Sequence, residues 1–164
     1  MIPAVVGPDK TYWIVDHHHL VRALYEEGVE DVLVTVLAKL KNLRKKRFYA
    51  FMDRKNWLHP YDADGDYRDW KDLPEHVKDL KDDPFRSLAG EVRRAGGYAK
   101  MPTPYTEFCW ADFFRDRFSA GDLDGKDAFA KALKCAIKMA RGHDAAYLPG
   151  FAGPEEDGKA DSED

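Results

Sequence analysis

Apolar positions along the chain change their period several times, and each change marks an element. Residues 2–6 and 11–15 are short apolar runs, and the second, Thr-Tyr-Trp-Ile-Val, is rich in the β-branched and aromatic residues that suit strands. Gly7, Pro8, Asp9 and Lys10 between them are turn formers, so the pattern predicts a hairpin. From His18 the period lengthens. Leu20, Ala23 and Leu24 fall at i, i+3 and i+4, one face of a helix that Gly28 can close. Asp31–Leu37 (DVLVTVL) is a valine-rich run short enough to predict a buried strand. Strand, helix and strand in that order predict a small α/β core.

The remainder reads as helical. Leu43 to about Lys55 places Phe48, Phe51 and Met52 on one face. Residues 57–73 form an Asp/Gly/Tyr-rich loop, and Pro74 is expected to open a short helix. Asp83 followed by Pro84 has the chemistry of an N-cap and a first helical position, and Gly96-Gly97 that of a stop. Thr103-Pro104 repeats the start signal ahead of an aromatic helix with Phe108, Trp110, Phe114 and Phe118. Residues 126–141 give the clearest amphipathic pattern, with Phe129, Ala132, Leu133, Ala136, Ile137 and Ala140 on one face and Gly142 following.

Composition narrows the class. The 164 residues are 44% hydrophobic and 34% charged, which fits a globular domain able to bury a core rather than a disordered chain. No apolar run approaches the roughly 18 residues of a membrane span, so no membrane association is expected. The start has no signal-peptide pattern. Two cysteines, Cys109 and Cys135, without a CxxC fit a reducing cytoplasm. The net charge of −4 is unevenly spread: Pro154–Asp164 hold six acids and one base, which leaves +1 on everything before them. That terminal segment, 154–164, reads as an acidic disordered tail, and the body as no strongly basic nucleic-acid binder.

The densest chemistry is Asp16-His17-His18-His19, at the junction of a strand and a helix. A helix N-terminus offers free N–H groups and a positive dipole end to phosphate or carboxylate. Histidine exchanges protons near neutrality, and Asp16 is placed to orient an imidazole. Two imidazoles with Asp16 would also make a divalent-ion donor set, although no helical HxxxH spacing supports one. The structural alternative is that Asp16 caps the helix and one histidine packs in the core. A second group lies in DPFRSLAGEVRRAGGYAK: Arg86 and Ser87 in the first turn, Arg93 seven residues on, then Arg94 and Lys100. Guanidinium forks suit phosphate oxygens, and Gly96-Gly97 permits a close backbone approach to a ligand. A solvated basic face with a glycine cap is the alternative. Glu107, Trp110, Asp112 and Arg115 form a third group, its carboxylates open to acid–base or metal roles or to intrahelical ion pairing. Asp62-Ala-Asp-Gly-Asp opens like a calcium loop, but its glycine comes too early and Leu73 stands where a bidentate glutamate is needed, so it reads as an Asx-rich turn. Lys39–Arg47 contain six bases among nine residues, a solvated helix face or a nucleic-acid contact.

IPAVVGPDKTYWIVDHHHLVRAL, DPFRSLAGEVRRAGGYAK, EFCWADFFRDRF and AAYLPG, in that order, resemble the ParB-like putative nuclease family of the ParB/sulfiredoxin superfamily, over most of residues 2–151. The resemblance implies a single ParB-like domain over 2–151, of the α/β (α+β) class, with a small mixed sheet and a helix-rich C-terminal half. It also implies a further strand and helix ahead of the Ile-Pro segment. In that superfamily the strand-to-helix motif approaches nucleotide or substrate phosphates, which maps onto Asp16, His17, His18 and His19. The wider superfamily usually carries glycine where His17 stands and often arginine where Leu20 stands, while Arg22 is retained. A sulfiredoxin needs a cysteine in this motif, and there is none.

Three functions compete. The first is a nuclease-like phosphodiesterase, a hydrolase with Asp16, His17, His18 and Glu107 catalytic, and His19, Arg22, Arg86, Ser87, Arg93 and Lys100 binding phosphate; a divalent metal, Mg²⁺ or Mn²⁺, is its candidate cofactor. The second is a nucleotide-dependent, kinase-like small-molecule enzyme, which needs no extended basic track. The third is a non-catalytic DNA-binding partitioning module, for which no helix-turn-helix is evident. Nucleic acid or nucleotide is the expected partner.

Overall fold

The computed structural model describes residues 1–62 and 64–154; of the acidic tail expected over 154–164, residues 155–164 lie outside them. The chain forms two compact units, Met1–Asp82 and Asp83–Asp164.

In the first unit, β1 (Ile2–Val6) and β2 (Tyr12–Ile14) form the expected hairpin, antiparallel with Ala4 opposite Ile14. The turn between them uses left-handed Asp9 and Lys10. After α1 (His18–Glu26), β3 (Val34–Lys39) returns parallel to β1, so the order is β2-β1-β3 and the sheet is mixed. Central β1 is the buried strand: Ala4 and Val5 are fully covered. β3 departs from the expectation for the valine run. It begins three residues later, at Val34, lies at the sheet edge, and leaves Val34, Val36 and Leu37 exposed. Apolar character shows that a strand can be buried; here its edge position, with a strand on one side alone, leaves it open. α2 (Lys45–Arg54) packs Phe48, Tyr49 and Met52 with Val5. No α-helix starts at Pro74; two single 3₁₀ turns, Trp70–Asp72 and Val77–Asp79, occupy this stretch, as expected where apolar residues are too sparse to repay helix nucleation. The Asx-rich reading of Asp62 fits: Oδ1 accepts from the Asp64 and Asp66 amides at 3.0 Å each, and Oδ2 pairs with Arg68.

The second unit is helical. α3 (Pro84–Arg94) is capped by Asp83, whose Oδ1 accepts from the Phe85 and Arg86 amides at 3.0 and 3.2 Å. Its end is a Schellman turn: Gly97 N–H donates to Val92 O, Gly96 N–H to Arg93 O, and Gly96 has φ +80°. α4 (Thr106–Arg115) starts later than Thr103-Pro104 suggested, because Tyr105 is left-handed and Thr103 O instead accepts from the Thr106 hydroxyl at 2.8 Å. α5 (Lys126–Ala140) buries Ala132, Ala136 and Ala140, a small-residue row that lets it lie close to α3. Trp110 centres the core, stacked on Tyr98 with ring centroids 4.2 Å apart and donating its indole N–H to Pro149 O.

Candidate active site

The histidine cluster occupies the turn from β2 into α1. His17 is the N-cap and is left-handed, with φ 64° and ψ 28°. That conformation is costly for any residue with a Cβ and free for glycine. Asp16 stabilises the turn: its Oδ1 accepts the His17 backbone N–H at 2.7 Å, rather than an imidazole proton. No side chain of the N-cap reaches the first-turn amides of α1, so no cap claims them. His18 is the first helical residue. The residue is exposed, yet partial desolvation of its ring disfavours the cation and lowers its pKa below the ordinary 6.5; a backbone hydrogen bond at Ile14 and the charge of Asp16 oppose this, and the neighbouring His19 and His17 add to it. His19 Nδ1 lies 3.8 Å from Asp82 Oδ1, both exposed.

Arg22, on the next turn, is already engaged. Its Nε pairs with Glu26 at 2.7 Å, and its Nη1 donates to Lys78 O and, at 3.2 Å, to Leu80 O. It clamps the 77–79 turn onto α1 and has little left for a phosphate.

The remaining candidates lie in the second unit. Glu107 stands between Arg86 and Arg93: Oε1 accepts from Arg93 Nε at 2.6 Å and Oε2 pairs with Arg86 Nη2. All three side chains are about three-quarters buried, and the Arg86 guanidinium also lies 5.2 Å from the Phe108 ring centroid. Arg86 Nε is buried without a partner among the described residues. The two arginines expected to hold phosphate and the carboxylate expected to move protons thus form one ion-pair cluster of net charge +1, tying α3 to α4. Tyr98 beside them is pushed well above its usual range, chiefly by burial and then by the charge of Glu107. Ser87 is half-buried within α3, and Lys100 is exposed after the Schellman turn. Gly97 makes its close approach to Val92, since a Cβ there would fall 2.5 Å from Val92 Cγ1. Arg115 bridges Asp83 at 2.7 Å and Asp112. Among the described residues no three His, Cys, Asp or Glu side chains gather as a metal-binding group, both cysteines are free, and no helix is long and apolar enough to cross a membrane.

One feature escaped the sequence reading. Lys131, Lys134, Lys138 and Arg141 recur at i, i+3, i+7 and i+10 along α5, a basic row on the helix side away from its alanines. The spacing of the bases along the sequence is the signal for it.

The fold and the histidine-bearing turn define a small mixed α+β protein of ParB-like architecture. Residues 1–116 match the family described as Putative ParB-like nuclease, and the chain belongs to that family. It is also similar to protein Atu1540 from Agrobacterium tumefaciens, whose crystal structure superposes with a TM-score of 0.88 at 48% identity, covering 94% of this chain and 79% of that one. No curated protein matches.

Proposed function

We propose that the chain hydrolyses phosphodiester bonds at the turn between β2 and α1. The observation that supports this reading best is His18, an imidazole biased toward its neutral form at the open amino end of α1. A neutral imidazole can take a proton from the attacking water. The uncapped amides and the positive helix end supply donors for the phosphate oxygens as negative charge develops on them. Asp16 fixes the turn and, through its charge, keeps His18 basic enough to accept the proton. His17 and His19 flank the same helix end. Family membership fits the reading without assigning any residue a role.

The test is hydrolysis of labelled single- and double-stranded DNA and RNA, and of bis-p-nitrophenyl phosphate, with and without Mg²⁺ or Mn²⁺. His18→Ala is expected to lower the rate by about 10²–10⁴. Equal rates in wild type and variant, or no hydrolysis under any condition, would reject the assignment. Saturable binding of ATP or CTP with no affinity for polynucleotide would support the kinase-like alternative instead.

A further inference from the structure

We infer that the basic row of α5 is a docking track for the phosphate backbone of a nucleic acid. This rests on the phosphodiester reading above for its choice of ligand, and it concerns a helix beyond the matched residues 1–116. Lys131, Lys134 and Lys138 are exposed, and Arg141 is half-buried at the end of the row. Successive steps of three, four and three residues keep all four within a narrow strip of the helix, and ten residues at about 1.5 Å each make it about 15 Å long. One strand of a duplex carries a charge every ~3.4 Å of axis, so the strip faces about four phosphates.

Three observations favour this occupant. First, none of the three lysines has an ion-pair partner among the described residues, whereas Arg86, Arg93 and Arg115 in the same unit are all paired. Asp127, one turn ahead of Lys131, is the only acid within α5. Second, a cleft of about 530 Å³ opens at the end of the row, lined by Lys134, Ile137, Lys138, Arg141, Gly142 and Pro154. Arg141 is fixed there by donating Nη2 to Gly96 O at 2.8 Å and Nη1 to Gly153 O at 3.4 Å, which holds its charge in place. Third, the apolar face of α5 is spent on the core: Ala132, Ala136 and Ala140 are buried. A basic amphipathic helix of this kind has no apolar face left to insert into a bilayer, which favours nucleic acid over an anionic membrane.

The experiment compares wild type with Lys131→Gln/Lys134→Gln/Lys138→Gln in binding a fluorescent 20-nucleotide DNA, single-stranded and duplex, across a salt series. Arg141 is left alone because it clamps two backbone carbonyls. An unchanged melting temperature confirms the fold, since all three lysines are exposed. The triple variant is expected to bind at least tenfold more weakly at low salt, with the log–log salt slope reduced by about two to three, since each lost phosphate contact removes ~0.7–0.9. Unchanged affinity and slope, or no polynucleotide binding by wild type, overturns the proposal. So does equal loss of binding to inorganic phosphate with no slope change, which would make the cleft a free-phosphate pocket. Preferential capture by phosphatidylserine vesicles overturns it as well. His18→Ala serves as the separating control: it should bind DNA like wild type, while the lysine variant should hydrolyse bis-p-nitrophenyl phosphate like wild type. Wild type that binds DNA without hydrolysing any substrate strikes the catalytic reading and leaves the track standing, and failure of the lysine effect strikes the track.

Discussion

Two adjacent histidines do different work at the turn into α1. His17 is placed by backbone geometry: its φ of 64° is a conformation that glycine adopts without penalty. Nothing in a lone sequence reports a positive φ at a histidine, so this role was illegible beforehand. His18 is shifted by its surroundings, and the shift has a consequence for stability. Its folded pKa is below the unfolded value of 6.5, so between the two the unfolded chain binds more protons. Its contribution is therefore fully present above pH 6.5 and is lost as pH falls from there through the folded pKa. Melting temperatures measured from pH 7.5 down to 5 should decline, and His18→Gln should flatten the part of that decline that begins near 6.5. Parallel curves for wild type and variant would mean that solvent reaches the ring freely in the folded protein.

At the scale of elements, periodicity located the helices well. α2 and α5 fall close to where the apolar spacing places them, because each buries one face and that face leaves a 3.6-residue signature, and α3 falls where its cap residues place it. α1 also falls near its expected span, but Leu20 and Ala23 of the predicted face are exposed and Val21 is the buried residue of the helix. What periodicity omits is the neighbour. The DVLVTVL run predicts a buried strand, yet Leu33, just ahead of β3, is 77% exposed and Val36, on the edge strand itself, is 38% exposed. Likewise Arg86 and Arg93 are legible as one basic group and Glu107 as part of another, but their mutual neutralisation depends on α3 meeting α4, which no spacing within one helix reveals. The open edge of β3 carries its own prediction. Five uncharged residues, Leu33–Leu37, lie at or beside an edge with no strand on its outer side among the described residues, the arrangement that promotes edge-to-edge association. Light scattering should show wild-type mass rising with concentration, and Val36→Lys, a change at an already exposed position, should suppress that rise without altering the circular dichroism spectrum. A wild type that stays monodisperse over the whole range would show the edge to be protected.

For the whole molecule, the distribution of charge matters more than its total. A net −4 opposes any polyanion, but residues 155–164 alone contribute −5, so the chain that carries the α5 row is itself +1. The tail begins immediately after Pro154, which lines the cleft at the end of that row. Those charges act on an approaching nucleic acid through the solvent, and their reach is set by salt. The screening length is about 30 Å at 0.01 M and about 8 Å at 0.15 M. A chain ending at Pro154 should therefore bind the labelled DNA several-fold more tightly than the full chain at 0.01 M salt, mainly through faster association. By 0.15 M the two should converge, because the tail no longer reaches across the screened solvent. Stopped-flow anisotropy on both chains at the two salts distinguishes this from direct occupation of the cleft. A tail seated there would slow association at both salts, since a ligand would have to wait for it to leave, whereas a tail acting through its field loses its effect as salt rises.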